Sequence, residues 1–168
     1  MQFVDVSLPG GPRREYEVVL GIKLPNGVAD DLVRWQGARR WAVITDTMVG
    51  PLYGEPLVQA LRELGGEAQY LEFPAGERFK TRETVADLQD RLIDLGYGRD
   101  SWVIAVGGGV VGDVAGFVAA TLFRGIPCVQ VPTTLLAMVD SSVGGKTGVD
   151  TSAGKNLVGA FLQPQRVL

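Results

Sequence analysis

The chain has 168 residues, 46% hydrophobic and 21% charged, enough for one ordinary core and too apolar for wholesale disorder. Its net charge of −3 excludes the broad basic surface that nucleic acid or an anionic membrane demands, and no run of about 18 apolar residues could span a bilayer. With no histidine and one cysteine, Cys128, the sequence excludes an internal disulfide, Ser–His–Asp and Cys–His nucleophiles, and a tight zinc site of its own. The opening MQFVDVSLPGGPRREYE lacks the basic-then-apolar order of a secretory signal, so a cytoplasmic protein is the expectation.

In chain order, Phe3 to Leu8 and Tyr16 to Ile22 have the pattern of short strands around a Pro9-Gly10-Gly11-Pro12 turn. Arg40 to Thr45 is a compact apolar strand ending at Asp46. Leu52, Leu57, Val58, Leu61 and Leu64 then follow helical spacing up to Gly65-Gly66, with Pro56 tolerable only near the helix start. Glu67 to Phe73 reads as a strand, and PAGERFK as a loop. The clearest helix follows: Thr81 can cap it, Glu83 suits its positive end, Val85, Leu88, Leu92 and Leu95 form its buried stripe, and Gly96 stops it. Trp102 to Val106 is a buried strand, Val110 to Leu122 a small-residue helix, and Pro127 to Val131 a further strand.

Alternating strands and helices, with strands apolar throughout, predict one α/β domain over residues 1–168: a doubly wound, mostly parallel sheet with helices on both faces. Such sheets bind ligands at the carboxyl ends of their strands. That rule singles out Asp46-Thr47-Met48, Pro74 to Lys80, Gly107 to Asp113 and Pro132-Thr133-Thr134.

The run Gly107-Gly108-Gly109-Val110-Val111-Gly112-Asp113 follows a strand and opens a helix, an arrangement whose free N–H groups attract phosphate. Tight helix–sheet packing is the competing explanation for its glycines. Asp113 suits a ligand hydroxyl or a helix cap equally, and Asp46 a ribose or a turn cap. Glu77 and Lys80 suit a nucleotide, but on their own read more simply as a solvated ion pair worth about 0.5 kcal/mol. Asp140 to Asn156 (DSSVGGKTGVDTSAGKN) presents Lys146 and Lys155, each after a glycine, as flexible point charges for phosphate or carboxylate. Gly144-Gly145-Lys146-Thr147 ends like a phosphate-binding P-loop, but Asp140 stands where its first glycine belongs, which rejects that class. Arg124 taken alone is a surface charge, Cys128 a small core residue, and Trp35, Trp41 and Trp102 packing.

Taken together, PAGERFKT, AVGGGVVGDVAGFVAA, FRGIP, VQVPTTLLAMVDSSVGGKTGVD and GKNLVGAF resemble the 3-dehydroquinate synthases, within the sugar-phosphate cyclases. The likeness runs from about Asp46 to the end and is most specific over Gly107 to Phe161. It implies a Rossmann-like NAD-binding domain. A helical half carrying the divalent metal (zinc or cobalt) would be absent from this chain, which is then expected to be inactive alone. It further implies a lyase that turns 3-deoxy-D-arabino-heptulosonate 7-phosphate, a phosphorylated sugar acid, into 3-dehydroquinate and phosphate. Another cyclase, or a stand-alone nucleotide-binding module, are the alternatives.

Carried over by residue, the resemblance puts Asp46 on the NAD ribose and Glu77, Lys80 and Lys155 on the nucleotide. Gly108, Gly109 and Asp113 would hold the diphosphate and nearby ribose, and Thr133 and Thr134 the adenosine side. Asp140, Lys146 and Asn156 would face the substrate, Lys146 beside the cofactor as well. Arg124 would reach the substrate phosphate of a neighbouring subunit, which implies a homodimer. Met48 departs from the polar residue that some members carry there.

Overall fold

The computed structural model describes residues 2–7, 15–21, 23–37 and 39–168. Among the described residues the chain forms nine strands and four α-helices, in two consecutive stretches. The first comprises β1 (Gln2–Ser7), β2 (Glu15–Leu20), α1 (Asn26–Gln36), β3 (Arg40–Asp46), α2 (Glu55–Glu63), β4 (Glu67–Phe73) and α3 (Arg82–Asp94). The second comprises β5 (Ser101–Gly107), α4 (Gly109–Thr121), β6 (Cys128–Pro132), β7 (Lys146–Thr151), β8 (Gly154–Phe161) and β9 (Arg166–Val167). Seven strands form one sheet in the order β1-β2-β9-β6-β5-β3-β4, parallel except where β1 pairs antiparallel with β2. A separate antiparallel hairpin, β7–β8, packs beside α4.

The sheet is covered on both faces because its strands are apolar on both. In β3, Ala42 and Ile44 join α3 and α4 on one side, while Trp41 and Val43 join α1 and α2 on the other. Each fully buried valine or leucine in these layers stabilises the fold by about 1.5–3 kcal/mol. From β3 the chain leaves through α2 toward β4, and from β5 it leaves through α4 toward β6. Strand order therefore reverses between β3 and β5, and at their carboxyl ends the loops part and open a crevice.

The expected α/β architecture is observed, with strand and helix bounds mostly within one or two residues of the pattern. The Pro9–Pro12 turn, Leu8 and Ile22 lie outside the described residues. Thr81 caps α3 as expected, its Oγ1 accepting from the Thr84 N–H at 3.3 Å. Six features of the fold differ from the sequence reading. The helix expected from Leu52 is preceded by a π-helical turn, Gly50–Gly54, so α2 begins at Glu55 with Pro56 in its first turn. Leu95 is exposed rather than buried, because α3 ends at Asp94 and the chain turns away from the stripe. PAGERFK contains a 3₁₀ turn, Glu77–Phe79. The segment expected to present its lysines on a flexible backbone is instead the β7–β8 hairpin, while α1 and β9 had no counterpart in the sequence reading.

Candidate functional site

Gly107 ends β5 so close to α4 that a Cβ there would lie 2.5 Å from Val111 Cγ2. Glycine thus lets the helix start directly off the strand. Gly108 caps α4 without a side-chain bond, and the first intrahelical bond runs from the Gly112 N–H to the Gly108 carbonyl at 3.0 Å. The N–H groups of Gly109, Val110 and Val111 consequently have no intrahelical acceptor and point out of the helix start, a geometry suited to an anion. One turn on, Gly112 rests against Gln130, whose Nε2 donates to the Gly112 carbonyl at 3.2 Å. Packing therefore accounts for Gly107 and Gly112 more fully than for Gly108 and Gly109, whose hypothetical Cβ atoms would come no nearer than 3.2 Å to Thr134 and Ser141.

A cleft of about 660 Å³ opens beside this helix start. Glu77, Lys80, Gly109, Asp113, Asp140, Lys146 and Asn156, all singled out from the sequence, line it together. Lys80 is the hub. It is only 4% exposed, and its Nζ donates to Asp113 Oδ2 and to Asn156 Oδ1, both at 2.5 Å. Burial holds the Asp113 carboxyl above its ordinary range, against the opposite pull of the Lys80 ammonium. The ion pair expected between Glu77 and Lys80 does not form: Lys80 turns inward, and Glu77 Oε1 accepts from Lys155 Nζ of the hairpin at 2.9 Å. That contact raises the Lys155 ammonium above its usual range. At the mouth, Asp140 and Lys146 stand 3.8 Å apart, both largely solvated, an arrangement worth no more than about 1 kcal/mol.

The remaining candidates lie around this centre. Asp46 Oδ1 accepts from the N–H groups of Met48 and Val49, each at 2.9 Å, so the turn-cap role is filled and uses one carboxylate oxygen. The Thr133 N–H donates to the Gly107 carbonyl at 2.9 Å, and Thr134 Oγ1 caps the next helical turn through the Ala137 N–H. Arg124 stands apart. It is exposed at the far end of α4, in a left-handed conformation with φ +69°, and does not meet the other candidates within this chain.

Sequence reasoning missed several wall residues. Ser141 and Thr147, polar members of the Asp140–Asn156 segment, line the cleft as well, whereas Leu136, Ala160 and Phe161 line it without having been singled out, and Phe161 is 84% exposed. Gln130 carried a usable signal, a lone amide in the apolar strand PCVQV, which marks a buried polar contact. Phe161 had none, because only the hairpin pairing Lys146↔Phe161 brings it to the cleft. A second hollow of about 480 Å³, lined by Arg78, Arg82 and Ser152, shares Glu77 and Lys80 with the first. Among the described residues, no three His, Cys, Asp or Glu side chains converge as a metal site, and no helix is long and apolar enough to cross a membrane.

A parallel sheet covered on both faces, with a polar cleft at its topological reversal and a glycine-started helix facing it, defines a Rossmann-like α/β domain. The profile described as 3-dehydroquinate synthase N-terminal matches residues 70–168. The chain belongs to that family. A 3-dehydroquinate synthase of Geobacter metallireducens is 59% identical over 127 residues, 76% of this chain and 35% of the relative. That of Caulobacter vibrioides is 51% identical over 156 residues, 92% of this chain and 42% of the relative. The chain therefore spans well under half the length of the curated relatives it matches.

Solved structures agree. A 2-deoxy-scyllo-inosose synthase complexed with carbaglucose-6-phosphate, NAD+ and Co2+ superimposes with a TM-score of 0.87 at 32% identity, over 99% of this chain and 44% of that one. A 2-epi-5-epi-valiolone synthase from Streptomyces hygroscopicus with NAD+ and Zn2+ bound gives 0.81 at 30% identity, over 97% and 45%. Maleylacetate reductase from Rhizobium, at 21% identity and 0.69, shares the fold.

Proposed function

We propose that this chain is the NAD-binding part of a cytoplasmic 3-dehydroquinate synthase, an enzyme converting 3-deoxy-D-arabino-heptulosonate 7-phosphate to 3-dehydroquinate and phosphate. One observation carries the reading: residues from four separate segments, Glu77/Lys80, Gly109/Asp113, Asp140/Lys146 and Asn156, meet in one cleft at the carboxyl ends of the strands. The residues present fit a dinucleotide. The open amides of Gly109, Val110 and Val111 suit its diphosphate, with Gly108 leaving room for close approach. Asp46 keeps one carboxylate oxygen beyond its turn bonds for a ribose hydroxyl, and Thr133 and Thr134 would border the adenosine side. Glu77 and Lys155, joined by an ion pair between the 3₁₀ turn and the hairpin, would border the nucleotide, and the buried Lys80–Asp113 pair would orient the ribose nearer the nicotinamide. When bound, the nicotinamide supplies reversible hydride acceptance.

At the mouth, Lys146 offers a compact positive charge to phosphate or carboxylate oxygens of the substrate, while Asp140 and Asn156 offer acceptors and donors to its hydroxyls. These residues bind and orient. A divalent metal does not fit the residues present, since this chain has no histidine and the described residues hold no convergent cluster. Its ligands would belong to other parts of a full-length enzyme, and the 168-residue chain alone would not turn over. Arg124, exposed and remote from its own cleft, suits a role in a neighbouring subunit's site, and a homodimer is part of this reading.

Calorimetric titration tests it. Saturable binding of NAD+ at one site per chain is expected, and no heat of binding would sink the reading. Phosphate release from the heptulosonate by the 168-residue chain with NAD+ and Zn2+ would overturn its expected inactivity. On a full-length enzyme, preference for sedoheptulose 7-phosphate over the heptulosonate would assign a different cyclase.

A further inference from the structure

The hairpin that closes one side of the cleft is irregular at one place. Its strands pair regularly from Lys146↔Phe161 to Val149↔Val158, then jump to Thr151↔Gly154. Asp150 thus faces a bulge of three residues, Lys155, Asn156 and Leu157. Within the bulge Asn156 has φ +56°, a left-handed conformation that asparagine tolerates better than most side chains. Asp150 ties this bulge to the loop that carries Lys80. Its own N–H donates to the Lys80 carbonyl at 2.8 Å, and its Oδ1 accepts from the Asn156 N–H at 2.8 Å. The same asparagine sends its Oδ1 to Lys80 Nζ, completing a closed circuit of Lys80, Asp150 and Asn156.

We propose that Asp150 is a positioning residue of the cleft: it fixes the bulge that delivers the Asn156 amide oxygen to the Lys80 ammonium. Asp150 lies off the main cleft and lines the neighbouring hollow, so it acts through Asn156 rather than on a ligand. It also contributes to the field that stabilises the Lys155 ammonium, and this charge effect is separable from the acceptor role. An asparagine at 150 keeps the acceptor oxygen and loses the charge; an alanine loses both. The consequence for a bound dinucleotide rests on the function proposed above, whereas the circuit itself does not.

Two readouts keep the failures apart. The first is acylation of Lys80 by a small amine-reactive anhydride, followed by peptide mass spectrometry, with exposed Lys155 as internal reference. In the parent chain Lys80 is expected to react far more slowly than Lys155. Asp150→Ala should speed Lys80 labelling by about tenfold, the worth of one hydrogen bond, while Asp150→Asn stays near the parent rate. Asn156→Gly, which keeps the left-handed backbone and removes the amide, should match Asp150→Ala, and the double variant should add nothing. The second is NAD+ titration, where Asp150→Ala should bind several-fold more weakly and Asp150→Asn as the parent does.

Parent-like Lys80 labelling in Asp150→Ala, additive effects in the double variant, or an Asp150→Asn as reactive as Asp150→Ala would each overturn the proposal. If Asp150→Ala does not fold, Asn156→Gly decides: Lys80 still protected there overturns it, and Lys80 exposed there, with Asp150→Asn protected, supports it. Labelling as expected without any NAD+ binding by the parent would uphold the circuit and sink the functional reading.

Discussion

Gly107 and Gly108 are neighbours with the same absent side chain, yet different physics requires each. At Gly107 the space is taken: a Cβ would meet Val111 Cγ2 at 2.5 Å and its Cβ at 2.6 Å, and neither atom is the loose end of a flexible chain. At Gly108 only the Thr134 side chain comes near, its Cγ2 at 3.2 Å and its Oγ1 at 3.5 Å, and the backbone is ordinary extended chain. Gly107→Ala is therefore expected to cost about 1–3 kcal/mol in denaturant unfolding, and Gly108→Ala less than about 1 kcal/mol. In NAD+ titration the order should reverse per unit of lost stability, because a methyl at 108 stands where a diphosphate would approach the helix start. Cys128 gives a pH test. Burial pushes its thiol from 9.0 up to about 12. Between those values the native chain keeps a proton that the unfolded chain has released, so stability falls as pH rises. Urea denaturation at pH 8 and pH 10 should show Cys128→Ala losing on the order of 1 kcal/mol less stability than the parent over that interval. A residual fall is expected from Tyr97, whose phenol burial raises from 10.0 to about 12.

Among the elements the sequence concealed, the β7–β8 hairpin matters most for the cleft. Its glycines suggested a mobile loop, but Gly148 and Gly159 are directly opposed partners whose strands sit too close for any side chain. A Cβ on Gly159 would lie 2.1 Å from the Thr147 carbonyl oxygen and 3.0 Å from Gly148 Cα, both backbone atoms that cannot swing aside. Gly159→Ala should lower stability by about 1–3 kcal/mol, read from thermal unfolding, and should expose Lys80 to acylation by loosening the strand that carries Asn156. The other concealed elements have local causes. In α1 the buried set is only Val28, Ala29 and Leu32, with Gly27 in the first turn and no side-chain cap. Strand β9 is two residues long and forms between β2 and β6, so no local period could reveal it. Helix α3 was legible because cap, stripe and glycine stop all agree, and only Leu95 fell on the wrong side of its end.

Across the whole molecule, reversal of strand order between β3 and β5 gathers loops that are distant in the chain. Exposed apolar side chains border the cleft as well: Leu136 and Phe161 line it, and Leu135, Met138, Val139 and Leu157 are exposed at neighbouring positions in the chain. So much apolar side chain in one neighbourhood should attract an amphiphilic dye in the native state. Fluorescence of 8-anilinonaphthalene-1-sulfonate is expected to rise on adding folded chain, and Leu136→Gln with Val139→Gln should cut that rise at least by about half while the unfolding midpoint holds within about 0.5 kcal/mol. An unchanged signal would place the dye elsewhere.

By itself the sequence determined the α/β class, the loops at the carboxyl ends of the strands, the lack of any histidine and every charged residue that lines the cleft. These depend on local period, on residue chemistry and on the rule that strand ends carry loops, all of which are written along the chain. Only the tertiary structure decided the partners. Lys80 pairs with Asp113 and Asn156 rather than Glu77, Glu77 pairs with Lys155, and Asp150 holds a bulge that no spacing discloses. Such choices depend on distances between segments as many as 78 residues apart, which the hairpin's closeness to α4 sets and which no short window of sequence contains.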